Sequence, residues 1–331
     1  MKRHNRVLPL ITFGAALAVS AALAPFASAQ DGEVDPVLVG ALDLHAHLDP
    51  DGFGPGGHGR SLNAFELAEL SQAAGMRGFV VKQHYDQTAD TAYLVRELYP
   101  DVEVFGGLGT NFATGGLNSA AVRQMADVKG GFGRVVWMPT WDAEHYVRNH
   151  GNDRPFISVV EDGDLVPEAK AVIAAIAEVS GKTRGSGGRI VLATGHNEPE
   201  EVLLMVAEAQ RLGVSVIVTH PVLDSVGMNL EQMKRAVDMG AYLEFVSGFV
   251  RTEEMVNASV EAMREVGVEN CIVSSDRGQG RGPEGHESPA ATHLEGLVQA
   301  ADVLREHGFS ESDLDLMFKE NPARLLGLPV L

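Results

Sequence analysis

One pattern constrains the fold of this chain more than any other: short, apolar, β-rich runs, each followed by a stretch of helical pattern, eight times over. The first run lies within residues 38–50. The others fall at 78–84, 102–109, 134–140, 189–196, 214–220, 241–247 and 270–276. They are nearly continuous in apolar residues, as parallel strands buried on both faces are. Helices are expected over 62–74, capped by Ser61 and stopped by Gly75, then over 88–98, 118–128, 167–179, 198–212, 229–239, 252–266 and 289–307, with a last one at 310–319. Eight β-then-α units predict an α/β fold, a (β/α)8 TIM barrel spanning residues 30–331 as one domain. A doubly wound open sheet is the competing architecture.

The long interval between the fourth and fifth runs carries a small insertion, about 141–166. It holds Phe156-Ile157-Ser158-Val159-Val160 and a Glu161-Asp162-Gly163-Asp164 turn, the signature of a hairpin. It leaves the barrel at the end where barrel active sites are built, so it is placed to wall or cover a substrate.

The first run ends Asp43-Leu44-His45-Ala46-His47. Strand alternation puts Asp43, His45 and His47 on one face and Leu42, Leu44 and Ala46 on the other. Two imidazoles side by side at a strand end suit a metal, though the pair alone could equally be hydrogen-bonded polar residues. The other strand ends decide between these readings. The second run offers Lys82 and His84, the fifth His196, the sixth His220 and the eighth Asp276. In a barrel these meet at one mouth. His45, His47, His196, His220 and Asp276 are therefore expected to hold one or two divalent ions. Zinc is the expected ion, because the set is nitrogen-rich with one carboxylate. Arg60, His84, Asn111, Asp142, His145, Arg277 and Gln279 occupy positions from which a substrate would be touched, whereas His58, His150 and His286 read as loop histidines.

The N-terminal segment stands apart. Lys2, Arg3 and Arg6 precede an Ala-rich apolar stretch from 7 to 23, and Ala27-Ser28-Ala29 fits a small-residue cleavage site. Residues 1–29 are expected to be a secretory signal peptide cleaved after Ala29, giving an exported protein of the periplasm or medium. The full chain carries a net charge of −19, and the leader holds basic residues only, so the remainder is more acidic still. Nucleic acid and anionic membranes are poor partners for such a protein; a small-molecule substrate and a homo-oligomer remain. Cys271 is the only cysteine, which excludes an intramolecular disulfide and reads as a small buried hydrophobe.

With these residues assembled, the chain resembles the amidohydrolase superfamily of metal-dependent hydrolases. The resemblance rests on His45-Ala46-His47, His196, His220, Asp276 and the closing Glu320-Asn321-Pro322-Ala323-Arg324-Leu325-Leu326-Gly327-Leu328. The finer pattern of Gly75-Met76-Arg77, Val81-Lys82-Gln83-His84, Trp137-Met138-Pro139-Thr140 and Ala193-Thr194-Gly195-His196 is similar to an uncharacterised branch. The resemblance implies hydrolysis of an amide, lactone or other ester with Asp276 as the proton-handling acid, or a decarboxylase or phosphoesterase variant. The rival class is a non-catalytic metal or small-molecule binding protein on the same barrel. Many superfamily members carry a carbamylated lysine or a glutamate on strand four, and this chain has neither there. Lys82 is the substitute, as a metal-bridging carbamate, as a cation for an anionic substrate, or as half of a structural ion pair.

Overall fold

The computed structural model describes residues 34–52, 60–278 and 292–331. The expected signal peptide and Gln279, His58 and His286 lie outside the described residues. The strands follow in order as β1 (Leu42–His47), β2 (Gly78–Lys82), β3 (Glu103–Gly109) and β4 (Gly133–Trp137), then a hairpin of β5 (Val160–Glu161) and β6 (Asp164–Leu165). The order closes with β7 (Val191–Ala193), β8 (Val216–Val218), β9 (Tyr242–Val246) and β10 (Cys271–Ser274). All but the hairpin form one eight-stranded parallel sheet in chain order. The seam between β10 and β1 is bridged at its C-terminal end: the Asp276 amide donates to the His45 carbonyl at 2.9 Å, and the His47 amide to the Arg277 carbonyl at 3.0 Å. The fold is a TIM barrel, with a helix after each barrel strand.

Helix starts follow capping chemistry. The first helix, α1 (Ala64–Ala73), begins two residues later than expected. Asn63 and Glu66 cap each other reciprocally, the Asn63 Oδ1 accepting from the Glu66 amide at 3.0 Å and Glu66 from the Asn63 amide at 2.8 Å. Ser61 has no glutamate three residues on and cannot form this box. Next come α2 (Ala89–Leu98), α3 (Ser119–Ala126), the unexpected short α4 (Glu144–Asn149) inside the insertion, and α5 (Pro167–Val179). In the hairpin, Asp162 and Gly163 are both left-handed, with φ of 51° and 82°, which a two-residue turn between right-twisted strands requires. The strand expected over 156–160 is confined to Val160, with Ile157 forming only an isolated bridge to Ala143.

The remaining helices are α6 (Pro199–Arg211), α7 (Leu230–Asp238), α8 (Glu253–Val266), α9 (His293–Glu306) and α10 (Glu311–Asp315). The last passes through a wide π turn into α11 (Asn321–Leu326). That end of the chain plugs the barrel. Ala323, Leu325 and Leu326 join Leu42, Leu44, Val80, Phe105, Val135 and Trp137 in the interior cluster. Burying each leucine contributes about 1.5–3 kcal/mol. Asn321 anchors the plug by donating to the Val268 and Cys271 carbonyls at 2.9 and 2.8 Å. Cys271 is buried, and burial pushes its thiol up.

One expectation about β1 is corrected. Its register against β2 slips between Asp43 and Ala46, so two β1 residues oppose one on β2. This bulge reverses the facing of the strand. Leu42 and Leu44 point into the barrel, Ala46 packs outward with Leu67, Ala68 and Val81, and His45 and His47 turn inward above the leucines. Asp43 does not share their face. Its Oδ1 accepts from the His45 amide at 3.1 Å and the Ser275 amide at 3.0 Å, bracing both the bulge and the seam.

Candidate metal centre

The strand ends deliver their side chains through backbone that few residues adopt. His220, just past β8, has φ of 25°, and Asp276, just past β10, has φ of 47°. Left-handed backbone at such residues costs on the order of 1–3 kcal/mol and persists where the surrounding structure imposes it. Gly195, ahead of His196, is left-handed at 67°, and a Cβ there would collide with the Met138 and Pro139 carbonyls. Glycine lets the β7 end press against the β4 end, where the His196 amide donates to Pro139 at 3.0 Å.

Three groups come together at the seam. The Asp276 Oδ1 lies 3.1 Å from His47 Nε2 and 3.4 Å from His45 Nε2. One donor atom from each of His45, His47 and Asp276 falls within 4.8 Å of the others. Behind them, His45 Nδ1 donates to Glu244 Oε2 at 3.1 Å. A carboxylate accepts only, so this bond puts the proton on Nδ1 and leaves the Nε2 lone pair facing the centre. The remaining rings close around the same space. The His220 ring lies 6.0 Å from His45 and 5.0 Å from His196, and the His84 ring 4.9 Å from His47 and 6.3 Å from His196.

The electrostatics favour the metal-binding forms. Burial pushes His47, His84 and His196 well below the usual imidazole range and His220 to about 4, so these rings are neutral at pH 7. Burial alone would raise Asp276, but His45, His47 and His220 hold it well below the usual carboxylate range. Glu244 is held down against its burial by His45 in the same way. Lys82 is fully buried, and burial pushes its amine down to about 8 against the opposing pull of Asp276 and Glu244. Its Nζ sits 4.6 Å from the ring centre of Trp137, the residue that ends β4. His45 Nε2, His47 Nδ1, His84 Nε2, His196 Nδ1 and Lys82 Nζ are all buried without a hydrogen-bond partner. Each orphaned group costs about 1–3 kcal/mol. The close donor atoms of His45, His47 and Asp276 fit a divalent cation, while His196 and His220 lie outside that close set.

A family model described as "Family of unknown function (DUF6282)" matches residues 40–244, more than half of the chain. The chain belongs to that family. No curated protein matches it. Among solved structures, it is similar to a weak promiscuous lactonase template engineered for organophosphate hydrolysis, at 16% identity and a TM-score of 0.57 over 87% of this chain and 96% of that one. A β-aspartyl dipeptidase from Fervidobacterium islandicum AW-1 matches at 16% identity and a TM-score of 0.59, over 88% of this chain and 75% of that one. An amidohydrolase from Pseudomonas aeruginosa matches at 12% and 0.55, over 87% and 96%. At these identities the likeness shows a shared barrel fold.

The residues expected to touch substrate are distributed unevenly in this DUF6282 member. His84 lines the cavity over the centre, together with His45, His47, His196, His220 and Asp276. Asn111 does not. It is fully buried, donating to the His84 carbonyl and the Thr140 hydroxyl at 2.8 Å each and accepting from the Thr140 and Asp142 amides at 3.0 and 3.2 Å. It is a latch joining three strand ends, and Thr140 in turn meets His84 Nδ1 at 2.8 Å. Asp142 is taken up by Arg154 and the Phe112 amide, Arg60 is paired with Asp51, and Arg277 turns to Ser247 and Gln299. His145 lines a different cavity, with Glu198 and Glu201. In their place the cavity is lined by Trp141, Tyr146, His150, Leu223, Asp224, Ser225, Arg251 and Met255. Glu244 was also missed by sequence reasoning. The signal for it is a single charge in the middle of the otherwise apolar run 241–247.

Proposed function

We propose that this protein is a metal-dependent hydrolase that cleaves an ester, lactone or amide of a small molecule. The observation that carries this reading is the seam triad, with Asp276 ionised between His45 and His47 and Glu244 fixing the His45 tautomer. His45, His47, His196, His220 and Asp276 would hold the ion, zinc by its nitrogen-rich donors. When bound, such an ion supplies Lewis acidity to a carbonyl or phosphoryl oxygen and acidifies water. The chain supplies the proton handling. Asp276 keeps 16% of its side chain exposed toward the cavity, enough to accept a proton from the attacking water and return it to the leaving group. The neutral imidazoles, shielded from solvent, hold the donor set in place without competing for that proton.

We also propose that Lys82 is the bridging carbamate. The support is a buried Nζ without an acceptor, an amine lowered to about 8, and Trp137 where strand four would otherwise supply a ligand. Its neutral amine would add to carbon dioxide with loss of one proton. After incubation with ¹³C-bicarbonate, a carbamate carbon signal should be present in the wild type and absent in Lys82→Met. A wild-type spectrum without it rules the bridge out. Residues 1–29 are proposed to direct export, which an exported protein beginning at Gln30 would support and one retaining Met1 would refute.

The deciding experiment for the hydrolase reading is Asp276→Asn, assayed on any ester, lactone or amide that the wild type turns over, with metal content measured alongside. A metal-loaded variant should lose on the order of 10² to 10⁴ in kcat. One within a few-fold of wild type removes Asp276 from the chemistry.

A further inference from the structure

One wall of the cavity over the centre is aromatic. Trp141 meets the His84 ring edge-on at 5.3 Å, Tyr146 lies 5.4 Å from Trp141 and 5.1 Å from His196, and His150 stacks on Tyr146 at 4.0 Å. All three come from the insertion after β4, and Trp141 and Tyr146 rest directly on rings of the centre. The buried Trp141 Nε1 has no hydrogen-bond partner. The lining also carries Leu223, Met255 and Arg251. Arg251 ends the short 3-10 turn Ser247–Arg251 that follows β9, the strand of Glu244. Its guanidinium folds back over Gly248, where an added Cβ would lie 3.4 Å from Cζ.

Among the described residues Arg251 is the one arginine lining this cavity, and it makes no hydrogen bond or ion pair with any of them. In the loops after β1 and β4, Arg60, Arg148 and Arg154 are each committed to a carboxylate. Asp224 shares the lining yet does not pair with Arg251. Arg251 is exposed at the rim of the cavity, so its charge is available to a ligand entering from solvent. Its planar fork matches a carboxylate or phosphate. The cavity measures about 290 Å³, room for roughly ten waters, which suits a single ring and its substituents.

We propose that Arg251 recognises an anionic group of the substrate, and that the substrate is a small, flat acid whose ring lies on the Trp141–Tyr146–His150 wall while its ester, lactone or amide bond reaches the centre. Aromatic faces take a planar body offset-stacked or edge-on, and a guanidinium elsewhere on the lining fixes its orientation. This deepens the hydrolase reading and rests on it.

The test uses the metal-loaded full chain as wild type, Arg251→Met, Arg251→Lys and the surface control Arg211→Met. Matched probes are 4-acetoxybenzoate against its methyl ester, and 5-carboxyphthalide against its methyl ester. The wild type and Arg211→Met should favour the acid by about 10- to 100-fold in kcat/KM, mainly through KM. Arg251→Met should bring that ratio near one, and Arg251→Lys should keep part of it. An equal ratio in wild type and Arg251→Met, or a wild-type preference for the neutral esters, overturns the proposal. If neither pair is turned over, the hydrolase reading is what fails on these probes, and calorimetric binding of benzoate against benzamide still decides the anion site. Benzoate should bind more tightly than benzamide and weaken by at least about tenfold in Arg251→Met. Equal benzoate affinity in the two proteins overturns it.

Discussion

The two halves of the centre are built differently. On the seam side, β1, β9 and β10 bring His45 and His47 against Asp276 and Glu244, so each imidazole has a carboxylate of its own. On the far side, β2 and β7 bring Lys82, His84 and His196, and none of these has a carboxylate at hydrogen-bond distance among the described residues. Beyond them lies the aromatic wall, while Arg251 follows β9 on the seam side. Both halves leave buried nitrogens orphaned, but the seam half has carboxylates beside its imidazoles, whereas the far half is cationic or neutral. Negative charge for the far half has to come from outside the unmodified side chains, from a carbamate, from the substrate, or from both. The protein's overall acidity hides this, because most of its carboxylates are on the outer surface.

Removing the seam histidines should break the comparison outright. His45→Ala combined with His47→Ala is expected to abolish stoichiometric metal after dialysis, as read by elemental analysis. Wild-type metal content in that variant would mean that the far half holds the ion alone. A gentler change separates holding from orienting. Glu244→Gln keeps the shape but weakens the acceptor for His45 Nδ1, and metal affinity should fall about 10- to 100-fold. An unchanged affinity would show that the seam tautomer needs no carboxylate.

The rings themselves set a pH dependence. His220 titrates near 4 when folded against an ordinary value of 6.5, and burial lowers His47, His84 and His196 in the same direction. Between about pH 6.5 and 4 the unfolded chain takes up protons that the folded one refuses. The metal-free protein should therefore be most stable above 6.5, and its Tm should fall as pH drops through that window. A Tm flat from pH 7 to 4 would show that these rings are not held neutral. The smallest effect belongs to the latch. Asn111→Ala should cost about 1–3 kcal/mol of stability, measured by denaturant unfolding, because it strands the Thr140 and Asp142 amides. Metal content should change little, since Asn111 does not line the cavity.

Much of this was legible along the chain. Eight apolar runs separated by helical patterns force a parallel sheet with crossovers, and a sheet of that order closes into a barrel whose strand ends share one mouth. From that alone, His45, His47, Lys82, His84, His196, His220 and Asp276 belong at one end, whatever the details of packing. Facing and pairing were another matter. Simple alternation put Asp43 beside His45 and His47. The β1 bulge turned it outward, because the seam bonds to Ser275, Asp276 and Arg277 require one extra residue on that strand. Asn111 and Asp142 have the polarity of substrate ligands, yet their partners are backbone amides and an arginine brought there by other strands. Glu244 and Arg251 are single charges without local pattern, one inside an apolar run and one past its end. A residue's chain neighbours set which element it joins and roughly where that element ends. Which partner a buried charge finds depends on groups far away in the chain, and only the closed barrel brings Glu244 to His45, 199 residues apart, and sets Arg251 at the rim of the same cavity.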